Sequence, residues 1–219
     1  IFVGDKIYTI PTFGASGYSP DFRSKEETQP LVNVLDLEGN VIQSISVDDF
    51  HETQSFLRAI KHRVCLSLSK DRKLFLPHFA MNVIHVFDLN GEKVGEFDRP
   101  LPFKPNAPQL VQQSQGKDGI IRMQAKMDMI TQDAEIGPDG NLYLLTPTES
   151  FMKRLEDENR KNLPSMGNKI DMIDTKTYES VRSFDIDGGS QCFGLLGKNR
   201  LVYAYEDKEG ELFLKCIEY

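Results

Sequence analysis

The stretch Val83–Phe97, VIHVFDLNGEKVGEF, alternates apolar and polar residues, breaks at Asp88-Leu89-Asn90-Gly91 and then alternates again. A period of two on both sides of an Asn-Gly turn predicts a β-hairpin: strand side chains point alternately to opposite faces, and Asn-Gly accepts the positive φ of a tight turn. Nearly the same statement occurs at Leu31–Ile45, LVNVLDLEGNVIQSI, and at Lys169–Phe184, KIDMIDTKTYESVRSF, the three copies aligning on Asp36, Asp88 and Asp174. Glu38-Gly39-Asn40 makes the first turn. Thr175-Lys176-Thr177 makes the third, which is less regular.

A second kind of hairpin lies between these copies. It reads CLSLSKDRKLFLP at Cys65–Pro77, AEIGPDGNLYLL at Ala134–Leu145 and FGLLGKNRLVYAY at Phe193–Tyr205, and the opening VGDKIYTI has the pattern of its second half. With the four strands named a to d, the chain reads b-c-d, a-b-c-d, a-b-c-d, a-b-c. A β-sandwich does not repeat one hairpin pair at a near-constant spacing of about 40 residues, whereas a propeller does so once per blade. The expected fold class is therefore all-β, a β-propeller of four-stranded antiparallel blades, with about four blades legible in a single domain spanning 1–219.

Composition bounds the function. The chain has 219 residues with 39% hydrophobic content, enough to bury a sizeable core as a soluble globular protein. Its 26 basic and 33 acidic side chains give a net charge of −7, with no block of basic residues, so no nucleic-acid partner is expected. No run reaches the length of a membrane span, and the opening IFVGDKIYTI, without Met, reads as a strand with no signal peptide in this chain. Cys65, Cys192 and Cys216 match no disulfide, zinc or haem spacing, and their apolar surroundings predict buried free thiols.

The connections differ in length, and every lengthening falls at one end of the blades. Insertions near 11–30, 48–61, 99–130 and 146–167 sit in b-to-c or d-to-a connections, which emerge on one face. The a-to-b and c-to-d connections keep tight Gly, Asn and Asp turns. Long loops gathered at one mouth of a channel are where such a scaffold carries a ligand or partner. TESFMKRLEDENRKNLPSMG, Thr148–Gly167, predicts a short helix capped by Thr148 or Ser150, with Phe151, Leu155 and Asn159 on one side and Pro164 and Gly167 ending it. FGASGYSPDFRSKEETQP is rich in Gly, Ser and Pro, and RPLPFKPNAPQLVQQSQGKDG reads as extended surface chain.

The stretches IGPDGNLYLL, KIDMIDTKTYESVRSFDI and SKDRKLFLPHFAMNVIHVFDLNGEKVGEF resemble the repeats of NHL-like and TolB-like six-bladed propellers, particularly the exported propeller lipoproteins common in Bacteroidetes. The resemblance implies a six-bladed ring and an exported, periplasmic or cell-surface protein. It rests on fold-forming residues and names no chemistry. Two accounts of the missing blades follow. Either N-terminal blades precede a chain that lacks a strand a before Ile1 and a strand d after Tyr219, or the weakly patterned 101–129 hides strands such as GIIRMQAKMDM.

Strand a begins at the loop-bearing face, so its first residues should ring the channel mouth: His62 and Arg63, Gln132 and Asp133, and Gln191. Strand b ends there too, which brings His78 to the rim. Such side chains suit a polar ligand, although hydrogen bonding to loop backbone accounts for each one singly. His85, alternating with Val83 and Phe87, reads as a half-buried packed imidazole, and His51 as a solvated loop residue. No HExxH, GxSxG or phosphate-binding glycine loop occurs, and a hairpin turn explains GPDGN without calcium. The leading expectation is a non-enzymatic binding propeller for a protein, peptide or carbohydrate, with no cofactor. The alternative is a lactonase-like hydrolase or lyase holding a divalent metal on His62 and Asp133, with His78 as acid or base, as related propellers do.

Overall fold

In the computed structural model the described residues are 1–11, 30–47, 64–115, 121–157, 166–186, 192–197, 199–206 and 210–219. The chain is all-β, with the blade architecture of a β-propeller and one short helix among these residues. The first blade consists of β1 (Phe2–Val3), β2 (Lys6–Thr9), β3 (Val32–Leu35) and β4 (Val41–Ile45). The second consists of β5 (Ser67–Leu68), β6 (Lys73–Pro77), β7 (Ile84–Asp88) and β8 (Lys93–Phe97). After the ribbon β9 (Gln109–Gln115) and β10 (Ile121–Lys126) comes the third blade, β11 (Asp133–Ile136), β12 (Asn141–Pro147), β13 (Asn168–Asp174) and β14 (Ser180–Ile186). The fourth is β15 (Phe193–Leu195), β16 (Arg200–Glu206) and β17 (Leu212–Glu218). Each blade is an antiparallel meander in sequence order, so neighbours in the chain are neighbours in the sheet.

Contacts divide the chain into two compact units. One holds Ile1–Val64 and Ala107–Met127, and the other Cys65–Asn106 and Asp128–Tyr219. In the first unit Tyr8, Val32, Val34 and Ile45 are buried in the first blade. That blade has a strand a after all: Phe2 and Val3 pair with Ile7 and Lys6 across the Gly4 turn, a two-residue strand too short for a hydrophobic period to reveal. The segment 101–129, expected as extended surface chain or as hidden strands, contains the β9–β10 ribbon, with a register shift between Arg122 and Met123.

In the second unit the cores lie between blades. Phe75, Ile84 and Val86 of the second blade meet Leu142, Leu144 and Ile173 of the third. Tyr143, Leu145, Ile170 and Met172 on the other face of the third blade meet Leu201 and Tyr203 of the fourth. Leu142-Tyr143-Leu144-Leu145 is thus a continuous apolar run because both of its faces are covered, and each such side chain contributes about 1.5–3 kcal/mol by burial.

The repeated Asp has one physical role in all three copies. It ends strand c and turns its carboxylate back onto the N–H groups of the c–d turn: Asp36 accepts from Asn40, Asp88 from Asn90 and Glu92, and Asp174 from Lys176 and Thr177, at 2.7–3.0 Å. Those donors hold the three carboxylates below their usual pKa. The side chain of Asn40 leads at Asp36, the N–H of Glu92 at Asp88 and the N–H of Thr177 at Asp174.

Three expectations are corrected. The helix, α1 (Phe151–Glu156), stops at Asp157, whose N–H bonds to the Arg154 carbonyl, and so ends well before Pro164 and Gly167. Cys192 and Cys216 are exposed and Cys65 is partly exposed: Cys216 lies on β17, most of whose side chains are exposed, while Cys65 and Cys192 precede β5 and β15 rather than standing within a covered strand. His85 is buried outright, lying in a strand c whose residues Ile84 to Phe87 are all covered.

Candidate functional site

Within the second unit, polar side chains reach from one blade to the next. On the inner strands, Ser67 Oγ of β5 donates to the Ala134 carbonyl of β11 at 3.0 Å. β11 then offers carboxylates to β15: Phe193 N donates to Asp133 Oδ2 and Leu195 N to Glu135 Oε2, each at 3.1 Å. Inner strands of adjacent blades are not hydrogen-bonded as a ladder, so these side chains satisfy N–H groups that would otherwise face the edge. Burial raises the Glu135 pKa; the Leu195 N–H opposes it and the neighbouring Asp133 charge adds to it.

Arg99 is the main clamp between the second and third blades. It lies just beyond β8, where Asn82 grips its backbone on both sides, donating to the Arg99 carbonyl at 2.8 Å and accepting from its N–H at 3.4 Å. The residue is 4% exposed, and its guanidinium enters the third blade, where Nη2 donates to the Ile130 carbonyl and to the hydroxyls of Thr131 and Thr146. Nε stands 3.4 Å from Asp171 Oδ2. The same carboxylate receives Thr146 Oγ1 at 2.8 Å, Ser183 Oγ at 2.9 Å and Lys169 Nζ at 2.7 Å. Burial lowers the Arg99 pKa and Asp171 opposes that shift, so the arginine is a charged group held in place by its partners.

Asp128 anchors the loops themselves. The residue is fully buried, and its carboxylate accepts the backbone and side-chain N–H of Asn106 at 2.8 and 2.9 Å, Ser150 Oγ at 2.8 Å and Met152 N at 2.9 Å. Ser150 is the N-cap of α1, accepting from Lys153 N. One carboxylate thus joins the end of the preceding connection to the start of the helix. Burial works to raise its pKa, yet the N–H groups of Met152 and Asn106, with the Ser150 and Asn106 side chains, hold it below the ordinary value.

Of the residues expected at the channel mouth, His62, Arg63 and Gln191 lie outside the described residues, as does His51. Asp133 opens β11, where its Oδ1 accepts its own neighbour Ala134 N and its Oδ2 accepts Phe193 N. Gln132 precedes it, with its N–H on the Leu145 carbonyl and its buried Oε1 without a hydrogen-bond partner among the described residues. His78 directly follows β6 and is fully buried, its ring edge-on to His85 with centroids 4.9 Å apart. Among the described residues no group of three or more His, Cys, Asp or Glu is placed to hold a metal ion.

Arg99, Asp128 and Asp171 are absent from the sequence expectations. Asp171 left a signal: three residues before each repeated Asp stands a polar residue in an apolar strand, Asn33, His85 and Asp171. Each is joined to the residue opposite it on strand d. Ser44 Oγ donates to Asn33 Oδ1, His85 Nδ1 lies 3.1 Å from Glu96 Oε2, and Ser183 Oγ donates to Asp171 Oδ1. Asp128 had no such signal, because its partners come from positions 22 and 24 residues away.

No protein-family model matches the chain, and no curated protein sequence matches it. Its structural neighbours are β-propellers. The Pan2 WD40 domain of Neurospora crassa matches with 11% identity and a TM-score of 0.47, covering 84% of this chain and 40% of its own. A Bacteroides caccae protein of unknown function matches with 9% identity and a TM-score of 0.41, covering 85% and 53%. Virginiamycin B lyase from Staphylococcus aureus matches with 17% identity and a TM-score of 0.34, covering 84% and 62%. The chain thus spans between two fifths and just over three fifths of these proteins' lengths. No helix among the described residues is long and apolar enough to cross a membrane.

Proposed function

We propose that this is a non-enzymatic binding propeller that holds a protein, peptide or carbohydrate on the loop-bearing end of its blades. The observation that carries the reading is the Asp128 anchor. A fully buried carboxylate directs four hydrogen bonds to fixing the connection before it and the helix after it. A connection fixed before the ligand arrives loses less entropy on binding, which is what a recognition surface gains from such a device. Arg99, Asp171, Asp133 and Glu135 are likewise engaged with the protein's own groups. The ligand contacts we assign are the strand-a openings His62, Arg63, Gln132, Asp133 and Gln191, with His78 behind them. From the resemblance we place the blades in a six-bladed ring of an exported protein.

The test is elemental analysis of protein purified without chelator, together with the variants His62→Ala and Asp133→Ala and a screen on glycan and peptide arrays. Capture of one ligand class, lost in a Gln132→Ala, Arg63→Ala double variant that melts normally, is the expected result. One bound metal per chain that disappears in both single variants, with turnover of lactone or ester substrates, would replace the binder by a metal-dependent hydrolase or lyase.

A further inference from the structure

The second and third blades meet along their inner strands. Ser67 Oγ donates to the Ala134 carbonyl and Lys70 Nζ to the Pro138 carbonyl, two links in the same order along both strands, so β5 and β11 run side by side in one direction. The face of β11 that carries Ala134 and Ile136 packs against Phe75 of the second blade, while Asp133 and Glu135 turn to the fourth. Two residues before the Ser67–Ala134 link stand Cys65 on one strand and Gln132 on the other. Cys65 N donates to the Pro77 carbonyl at 2.9 Å and so extends the β5–β6 ladder by one step. Strand alternation then turns its thiol the same way as the Ser67 hydroxyl, toward the third blade.

The charge gathered at this level is uneven. Arg99 and Lys169 bring two cations to the single carboxylate of Asp171. Arg99 is almost wholly buried, and its Nη2 bond to Thr131, the neighbour of Gln132, sets the guanidinium level with Cys65. Nε and Nη2 both turn to the third blade, which leaves Nη1 on the side of the second; it has no hydrogen-bond partner among the described residues. The buried Oε1 of Gln132 has none among them either, so a donor and an acceptor both stand open here. Burial lowers the Arg99 pKa, and against it act first Asp171 and then the charge of a Cys65 thiolate, so sulfur and guanidinium are within electrostatic reach.

We propose that Cys65 is an oxidation site for hydroperoxides, with Arg99 favouring its thiolate and assisting the attack. The thiolate sulfur attacks one oxygen of hydrogen peroxide: an S–O bond forms, the O–O bond breaks, sulfur gives up two electrons and hydroxide departs, leaving cysteine sulfenic acid. The guanidinium charge favours thiolate over thiol, and a hydrogen bond from Nη1 stabilises the departing oxygen as its negative charge grows. In the product the sulfenic oxygen accepts from Arg99 Nη1 and its hydroxyl donates to Gln132 Oε1. That completes both groups and ties the second blade to the third.

Access and electrostatics predict opposite orders of reaction. Cys192 and Cys216 are exposed and Cys65 only partly so, which on access alone would make Cys65 the last to react. The protein is treated briefly with hydrogen peroxide at about pH 7, quenched with catalase and denatured in dimedone and N-ethylmaleimide, and each cysteine peptide is quantified by mass spectrometry. Cys65 is expected to lead the other two in dimedone adduct by about tenfold. Arg99→Met should remove that lead, and Asp171→Asn, which takes away the guanidinium's counter-charge, should lengthen it by about threefold. The two variants separate charge from packing, because a loosened contact between the blades would speed Cys65 in both. Oxidation of Cys192 or Cys216 level with Cys65 or ahead of it in the unaltered protein would overturn the proposal, whether or not the variants fold. So would oxidation of Cys65 in Arg99→Met as fast as in the parent or faster.

Discussion

Tyr178 stacks flat on Phe97, with ring centroids 4.7 Å apart and planes within 4°. The contact joins the c–d turn of the third blade to strand d of the second. It also accounts for the irregular third turn: Gly39 and Gly91 have φ of 90° and 83° in the first two copies, whereas Tyr178 has φ of 62° in the third. A left-handed residue with a Cβ costs about 1–2 kcal/mol, offset here by a ring that also lies near Phe75 and below the Lys73 ammonium.

Two substitutions separate the strain from the stacking. Tyr178→Ala keeps the strained φ and loses the ring, and is expected to cost about 2–3 kcal/mol in urea unfolding. Tyr178→Gly loses the ring but relieves the backbone, so it should be the milder of the two by about 1 kcal/mol. Gly95 lies beneath the ring, and a Cβ there would come 3.1 Å from the tyrosine oxygen, so Gly95→Ala should destabilise as well. Equal costs for the alanine and glycine variants at position 178 would show that φ carries no strain.

Arg72 provides the opposite case. It occupies, at φ of 60°, the a–b turn position that Gly140 fills at φ of 90° in the third blade, and its side chain is exposed. Nothing comparable to the tyrosine stack offsets the strain. Arg72→Gly should therefore stabilise by about 0.5–1 kcal/mol, and Gly140→Ala should destabilise by a similar amount. Thermal melts of the two variants, moving in opposite directions, check this.

Much of the fold was legible because its signals are local. The two-residue period, the turn Asp at 36, 88 and 174, and the Gly-Asn turns each report a hairpin within about fifteen residues. The helix start was legible for the same reason, Ser150 standing immediately before the helix it caps. What the sequence concealed is long-range. Arg99 Nη2 finds its acceptors 31 to 47 residues onward and its counter-charge, Asp171, farther still, and Asp128 looks back to Asn106 and forward to Met152. His78 shows the same limit from the other side. Its place at the end of strand b was readable, but its burial against His85 depends on a neighbouring strand.

Asp128 should impose a pH dependence on stability. Its folded pKa is depressed, so its contribution is fully present above the unfolded value of about 3.9 and is lost as pH falls through the folded pKa. Asp128→Asn presents an amide N–H₂ to the donors of Ser150 and Met152 and should cost about 3 kcal/mol at neutral pH. In the variant, stability should fall less steeply with acid below about pH 4 than in the parent. Parallel acid denaturation curves for the two proteins would remove Asp128 from the account.

Arg99 and Asp171 make the last case, since a buried ion pair is worth little against well-packed apolar residues and much against a half-removed pair. Arg99→Met leaves Asp171 buried with Lys169, Thr146 and Ser183 as its donors and should cost about 3 kcal/mol. Asp171→Leu strands a guanidinium whose Nη1 has no hydrogen-bond partner among the described residues, and should cost more, about 4 kcal/mol. The double variant should lose clearly less than the sum of the two, because neither charge then remains to be desolvated alone. Additive losses in this cycle would mean that the clamp acts only through Ile130, Thr131 and Thr146, and that the carboxylate serves its own blade independently.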